Sequence, residues 1–114
     1  METNSNNNEY IDIDDALSRV GGNMALYKRL LGKFLDGNHF DGLERALSGG
    51  DTEEASRQTH SLKGISANLS LKKIHELSVE LEHLLKTGAD CSVCTNELKK
   101  AFTATTEKIE EIRN

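Results

Sequence analysis

The composition predicts an all-α protein, an antiparallel four-helix bundle with a short extra helix at its N-terminal end. The chain of 114 residues has no proline, two tyrosines and three phenylalanines, so helix breakers and strong strand formers are scarce. Leucines and other apolar residues recur at helical spacing, and the short turns between these segments favour antiparallel neighbours. The length suits one domain with a modest core.

The chain begins with a polar, asparagine-rich stretch without helical periodicity. We expect residues 1–9 to form a disordered tail and residues 10–114 to form the bundle domain.

Amphipathic spacing predicts where the helices lie. They are expected over about 14–20, 23–35, 40–47, 51–69, 71–86 and 91–112. The second and third of these segments are separated only by Asp36-Gly37-Asn38, and local signals alone favour two pieces there.

Short polar side chains predict the helix starts, because their oxygens can accept a hydrogen bond from the first turn. Asp12 or Asp14 should cap the first helix. Asp51 or Thr52 should cap the helix that begins near residue 51. Asp90 should cap the last helix.

The helix that begins near residue 51 places one histidine on its outer face. Its predicted core-facing residues are spaced four, three, four and three apart: Ala55, Thr59, Leu62, Ser66 and Leu69. His60 then points away from this stripe, with Lys63 and Gly64 on the next turn and Arg57 on the turn before. An exposed imidazole beside cations and a glycine can be reached by a large partner and can carry an anion.

The stretch around this histidine resembles a family signature. The pattern His-x-Leu-Lys-Gly-x-Ser/Ala-x-x-Leu is filled by His60, Leu62, Lys63, Gly64, Ser66 and Leu69, and pairs at spacings similar to the family's are Phe34-Leu35, Ala46-Leu47, Gly50-Asp51 and Leu81-Glu82. On these residues, the chain resembles the histidine-containing phosphotransfer (HPt) domain over about residues 10–112. It departs from the family at Ser70, just past the helix, where glycine is usual and tolerates a left-handed cap better.

The resemblance implies a histidine phosphotransfer protein of a two-component phosphorelay. His60 would accept a phosphoryl group from an aspartyl phosphate of one receiver domain and pass it to another. The implied partners are response-regulator receiver domains and a hybrid sensor histidine kinase. Mg²⁺ is expected on the receiver, and this chain is expected to have no cofactor of its own. The resemblance also implies one long helix, weakened at Gly37, in place of the two pieces.

Each site residue has a role by this resemblance. His60 would be the phosphoacceptor, and Lys63 would pair with the phosphate oxygens. The surface that docks a partner would include Arg57, Ser61, Gly64 and Ala67, with the glycine leaving room for the partner's loops. Glu82 stands at the spacing where the family often has a residue near the ring and could orient it, and Gln58 or Ser61 could do the same from within the helix.

Several other functions are excluded by what the sequence lacks. There is no phosphate-binding loop and no glycine-rich nucleotide lid, so we expect no kinase activity. A net charge of −5 argues against nucleic-acid binding. No apolar run reaches the length of a membrane span, and the first residues lack a secretion signal. We therefore expect a cytoplasmic monomer without membrane contact, unless the chain is a fragment of something larger.

Cys91 and Cys94 form a single Cys-x-x-Cys motif. In the first turn of a helix, the helix dipole would stabilise a thiolate. A redox pair usually follows a strand, however, and a zinc site would need two more ligands. We therefore favour two small residues in a reducing compartment.

The remaining histidines and carboxylates predict no metal site. Glu80-x-x-His83 resembles half of a di-iron motif, but it lacks a second pair and lies off the inward face of its helix. The others are expected at surface or boundary positions: His39, His75, Glu107, Glu110 and Glu111.

Two alternative functions remain open. The bundle could bind a receiver or a kinase without being phosphorylated, or it could be a metal or redox bundle. The presence of His60 within its motif favours phosphotransfer over binding alone. Elemental analysis and thiol titration would identify a metal or redox protein.

Overall fold

The computed structural model describes residues 9–114, and this part of the chain contains no β-strand. It forms six helices: α1 (Ile13–Arg19), α2 (Met24–Asp36), α3 (His39–Ser48), α4 (Thr52–Asn68), α5 (Lys72–Thr87) and α6 (Ser92–Arg113). They pack as a helical bundle in which α4 contacts α3 and α5, while α6 contacts α2, α3 and α5. The predicted all-α class is confirmed. None of these helices is both long and apolar enough to cross a lipid bilayer.

The predicted N-terminal tail lies outside the described residues except for Glu9, which is exposed. Two residues further on, Ile11 is fully buried in the core. The core therefore begins close to the expected start of the domain, and the boundary between residues 9 and 10 stays a prediction.

The starts of α1, α2 and α4 are capped by side chains. Asp12, Asn23 and Asp51 each accept a hydrogen bond from the backbone N–H three residues later, at 3.1, 3.0 and 3.1 Å. These bonds satisfy N–H groups that have no partner within the helix. Asp12, and not Asp14, therefore caps α1. Asp51, and not Thr52, caps α4.

The single long helix implied across Gly37 is wrong. α2 ends at Asp36, and Asn38 takes a left-handed conformation with a φ of 53°, through which a helix of L-residues does not continue. The ring of His39 folds back over Gly37, where an added Cβ would lie 2.5 Å from His39 Nε2. The same ring stacks on Phe34 with centroids 5.1 Å apart. The local signals that favoured two pieces were right.

The inward face of α4 consists of small and polar residues together with leucine. All five predicted core positions are buried: Ala55, Thr59, Leu62, Ser66 and Leu69. The hydroxyls of Thr59 and Ser66 each donate to the carbonyl one turn earlier, at 2.7 Å, so the polar groups of this stripe are hydrogen-bonded. The small side chains let α5 pack closely on α4, which places α5 residues beside the outer face of α4.

Ser70 lies in the turn between α4 and α5, at the position where the family usually has glycine. It takes a φ of 58°, a left-handed conformation that glycine adopts more easily. Its hydroxyl donates to Asp15 Oδ2 at 2.6 Å, and its carbonyl accepts from the N–H of Asp12 at 3.0 Å. These hydrogen bonds attach α1 to the turn and stabilise the serine there.

Candidate functional site

The imidazole of His60 lies on the outer face of α4. Its neighbours on the core stripe, Thr59 and Leu62, are buried, whereas 74% of the His60 side chain is exposed to solvent. The difference follows from helical geometry, because successive residues project about 100° apart. The prediction that the ring is open to solvent is confirmed.

A carboxylate on α5 contacts both this imidazole and the lysine one turn later. Glu82 Oε2 lies 3.1 Å from His60 Nδ1, and Lys63 Nζ donates to Glu82 Oε1 at 2.6 Å. The side chains of Glu82 and Lys63 are only 21% and 32% exposed. The structure therefore brings three predicted site residues together, with Glu82 between the other two.

The charge on Glu82 determines how this contact can be made. The hydrogen bond from Lys63, and secondly the one with His60, lower the pKa of Glu82, so the carboxylate is ionised at neutral pH. An ionised carboxylate can only accept hydrogen bonds. His60 Nδ1 therefore carries the proton in this hydrogen bond, so the lone pair of an uncharged ring lies on Nε2. This tautomer is assigned from the hydrogen-bond partners.

The surface beside the imidazole has little side-chain cover. A Cβ added at Gly64 would meet no atom within 4 Å. Ser61 is exposed and Ala67 is half-buried on the same helix. A large partner can therefore approach the ring from this side without displacing a bulky side chain.

Arg57 and Gln58 are engaged with another residue of α4. Arg57 Nε donates to Glu54 Oε1 at 3.1 Å, and Gln58 Nε2 donates to Glu54 Oε2 at 2.7 Å. These bonds, the one from Gln58 first, lower the pKa of Glu54. Gln58 also covers Gly42 of α3. The structure thus brings Glu82, and not Gln58, to the imidazole, because Gln58 lies on the side of α4 that packs against α3.

His75 supports the site from α5, a role that was not predicted from the sequence. It is half-buried on α5, and its Nδ1 lies 3.2 Å from the carbonyl oxygen of Lys63. This contact joins α5 to α4 next to the ion pair of Lys63 and Glu82. The symmetry of a helical hairpin could have indicated it, because residues at similar distances from a turn face each other.

The two cysteines are free thiols near the start of α6. Asp90 lies one residue before the cap position, which Cys91 occupies, although Asp90 Oδ1 still accepts from the N–H of Ser92 at 3.0 Å. Burial raises the pKa of both thiols, that of Cys94 to about 11. The expectation that this helix start stabilises a thiolate is therefore wrong. Cys91 and Cys94 fit the interpretation that they are small structural residues.

Within residues 9–114, no three histidine, cysteine or acidic side chains cluster as a metal site would require. Glu80 and His83 are both exposed, as predicted, and point away from the core. His39 is half-buried on Phe34, and burial lowers its pKa.

Comparison with known proteins agrees with this geometry. The family model of the Hpt domain matches residues 29–114, a span that contains every predicted site residue. No curated protein and no solved structure gives a match. Hpt domains are phosphocarrier modules of two-component signalling and are not kinases. Because the matched span is well over half of the chain, this protein belongs to the Hpt domain family.

Proposed function

We propose that this protein carries a phosphoryl group on His60 in a two-component phosphorelay. It accepts the group from an aspartyl phosphate of one receiver domain and passes it to an aspartate of another. The observation that carries the proposal is the exposed imidazole of His60, held from α5 by Glu82 in a chain of the Hpt family.

The chemistry follows from the proposed tautomer of the ring. The lone pair of His60 Nε2 attacks phosphorus, a bond from nitrogen to phosphorus forms, and the bond from phosphorus to the aspartyl oxygen breaks. The electron pair of the broken bond stays on the aspartate as its carboxylate charge. The receiver brings the Mg²⁺ that neutralises charge on the transferring group, and this chain contributes the nucleophile.

Lys63 is the proposed charge partner of the phosphoryl oxygens. Its ammonium has three N–H donors, of which the bond to Glu82 uses one. The side chain lies on the same face of α4 as His60, one turn later. A phosphoryl group on the ring can therefore be contacted by Lys63 while Glu82 remains bound.

The docking surface is proposed to be the outer face of α4, formed by Arg57, Ser61, Gly64 and Ala67. Receiver domains, including that of a hybrid sensor histidine kinase, are the proposed partners. The open space above Gly64 supports this assignment. We further propose that the protein acts as a cytoplasmic monomer without nucleic-acid or membrane contact.

For the fold, we propose the antiparallel four-helix arrangement, with α2 and α3 together in one position, α4, α5 and α6 in the others, and α1 as the extra helix. It is supported by contacts in which residue numbers rise along one helix as they fall along its neighbour. Such pairs are His60–Glu82 and Lys63–His75 between α4 and α5, and Phe40–Phe102 and Glu44–Lys99 between α3 and α6.

The test is transfer of label from receiver domains of the host that have been phosphorylated with a radiolabelled donor. We expect at least one receiver to give an acid-labile, base-stable label on the wild-type protein and none on His60→Gln. His83→Gln is the matched control, because it removes an exposed histidine next to Glu82, and it should be labelled normally. Full labelling of His60→Gln would contradict the assignment of the residue. A receiver that binds tightly but never transfers label would support the alternative of binding alone.

A further inference from the structure

The contact between Glu82 and His60 bears on the phosphorylated state as well as the resting one. Attack through Nε2 leaves a proton on Nδ1, so the newly phosphorylated ring is an imidazolium that carries a dianionic phosphoryl group. If that proton is lost to water, the ring would have to leave as an anion, which is a poor leaving group. The phosphoryl group departs readily only when Nδ1 is protonated, because the ring then leaves as neutral imidazole.

We propose that Glu82 keeps the proton on His60 Nδ1 throughout the relay cycle, so that the phosphoryl group is taken up and released without a proton being gained from or lost to water. The inference rests on the proposed function. In uptake, the bond from Nε2 to phosphorus forms as the donor bond to phosphorus breaks, and the Nδ1 proton stays in place. In release, the same steps run in reverse, and the ring returns to its starting tautomer.

The groups around the ring support this assignment. From α5, Glu82 approaches Nδ1 to 3.1 Å, and an adjacent carboxylate favours a charged imidazolium. On α4, Lys63 binds the other Glu82 oxygen and keeps the carboxylate ionised, while Arg57 is bonded to Glu54.

His83 of α5 and Glu44 of α3 are ionisable residues on the two helices that contact α4, and neither makes the contact that Glu82 makes with the ring. On α5, His83 is exposed one residue beyond Glu82. α3 packs on the Gln58 side of α4, and its Glu44 pairs with Lys99 of α6 at 3.6 Å. Glu82 is therefore the carboxylate that this structure places on the ring.

Lys63 also makes the presence of a carboxylate compatible with phosphorylation. A bare carboxylate beside the ring would repel an incoming phosphoryl group, because both are negative. The ammonium of Lys63, 2.6 Å from Glu82 Oε1, offsets that repulsion while the other oxygen still accepts from Nδ1. Glu82 is thus a positioning residue that acts through the ring, and it has no contact with the transferring group.

The experiment loads the purified protein with phosphoramidate, a small donor from which His60 Nε2 displaces ammonia, so no cognate receiver is needed. Loss of the phosphohistidine is then followed by phosphorus NMR from about pH 6 to about pH 9. The variants are Glu82→Gln, which keeps a hydrogen-bond acceptor but removes the charge, and Glu80→Gln as the matched control, because Glu80 is an exposed carboxylate on the same helix.

We expect the rate of loss to be nearly constant with pH in the wild type and in Glu80→Gln. In Glu82→Gln it should fall at alkaline pH, by about tenfold, the effect of removing one adjacent opposite charge. Identical pH profiles in the wild type and Glu82→Gln would overturn the inference. A folded wild-type protein that forms no phosphohistidine would instead overturn the proposed function.

A second readout does not depend on any variant. Nitrogen NMR of the loaded wild-type protein should show a hydrogen on His60 Nδ1 at neutral pH. Loss of this proton near neutral pH would contradict the inference even if Glu82→Gln could not be loaded.

Discussion

Among single residues, Glu82 connects the two side chains that the proposed chemistry needs. Lys63 is bonded to it in this structure, so in the proposed transfer the phosphoryl oxygens would meet an ammonium that already has a carboxylate partner. The sequence could predict His60, Lys63 and Glu82 as separate candidates from the family pattern. It could not choose between Glu82 and Gln58, because the choice depends on Glu54 capturing the amide of Gln58.

The ion pair of Glu82 predicts a pH-dependent contribution to stability. Lys63 and then His60 lower the pKa of Glu82 in the folded protein. The contribution is therefore complete above the pKa of the unfolded chain and is lost as the pH falls through the lower, folded value. Glu82→Gln should reduce the free energy of unfolding by about 1 kcal/mol near neutral pH.

Urea unfolding near pH 7 and near pH 3 measures this contribution. The difference between wild type and Glu82→Gln should be smaller at the lower pH, and Glu80→Gln should change little at either. A difference of equal size at both values would mean that the carboxylate charge is not the cause.

Substitutions at Gly64 should affect stability and phosphoryl transfer differently. Because an added Cβ would meet nothing within 4 Å, Gly64→Ala should stabilise the protein by about 0.5–1 kcal/mol through helix propensity. Gly64→Trp should also fold but lose most transfer from a receiver, since the bulky ring covers the proposed docking surface.

Thermal unfolding and receiver-transfer assays on the same preparations test this separation. Val93→Trp is the control, because it places the same ring at an exposed position near the start of α6, outside the proposed docking surface, and it should transfer normally. Normal transfer by Gly64→Trp would place the docking surface elsewhere.

For the helices, local capping chemistry predicted more than the family resemblance did. Asp12 and Asp51 cap α1 and α4 as predicted, Asp90 does not occupy the cap position of α6, and the predicted ends of α4 and α5 agree with the structure to within two residues. The resemblance led to one long helix across Gly37, whereas α2 and α3 are separate. The break could not be predicted with certainty, because it is stabilised by the stacking of His39 on Phe34, a contact that helical periodicity does not encode.

The break between α2 and α3 makes Gly37 sensitive to substitution. Its backbone is right-handed, so alanine suits the conformation, but the new Cβ would lie 2.5 Å from the His39 ring. The ring would have to leave its place on Phe34, and we expect Gly37→Ala to destabilise the protein by about 1 kcal/mol. The same change at Gly64 should stabilise it.

Chemical unfolding of Gly37→Ala, His39→Ala and the double variant measures this contact as a double-mutant cycle. In the His39→Ala background, the alanine at position 37 should no longer be harmful. A cost that stays the same without the ring would show that the backbone, and not the side chain of His39, is responsible.

In the molecule as a whole, the hairpin of α4 and α5 creates the site. Residues 60 and 82 are far apart in sequence, and the turn at Ser70 brings them together. The all-α class and the buried stripe of α4 were predictable from composition and spacing. The attachment of α1 to that turn through Asp15 was not, because it depends on a left-handed serine whose hydroxyl finds a distant partner.

We propose that the phosphoryl group bonds to Nε2 of His60 because Glu82 occupies Nδ1. The most direct measurement is phosphorus–nitrogen NMR of the nitrogen-15-labelled protein after loading with phosphoramidate. We expect one phosphohistidine, with coupling between phosphorus and Nε2 of His60. A phosphoryl group on Nδ1 of this ring, or on the exposed ring of His83, would contradict it.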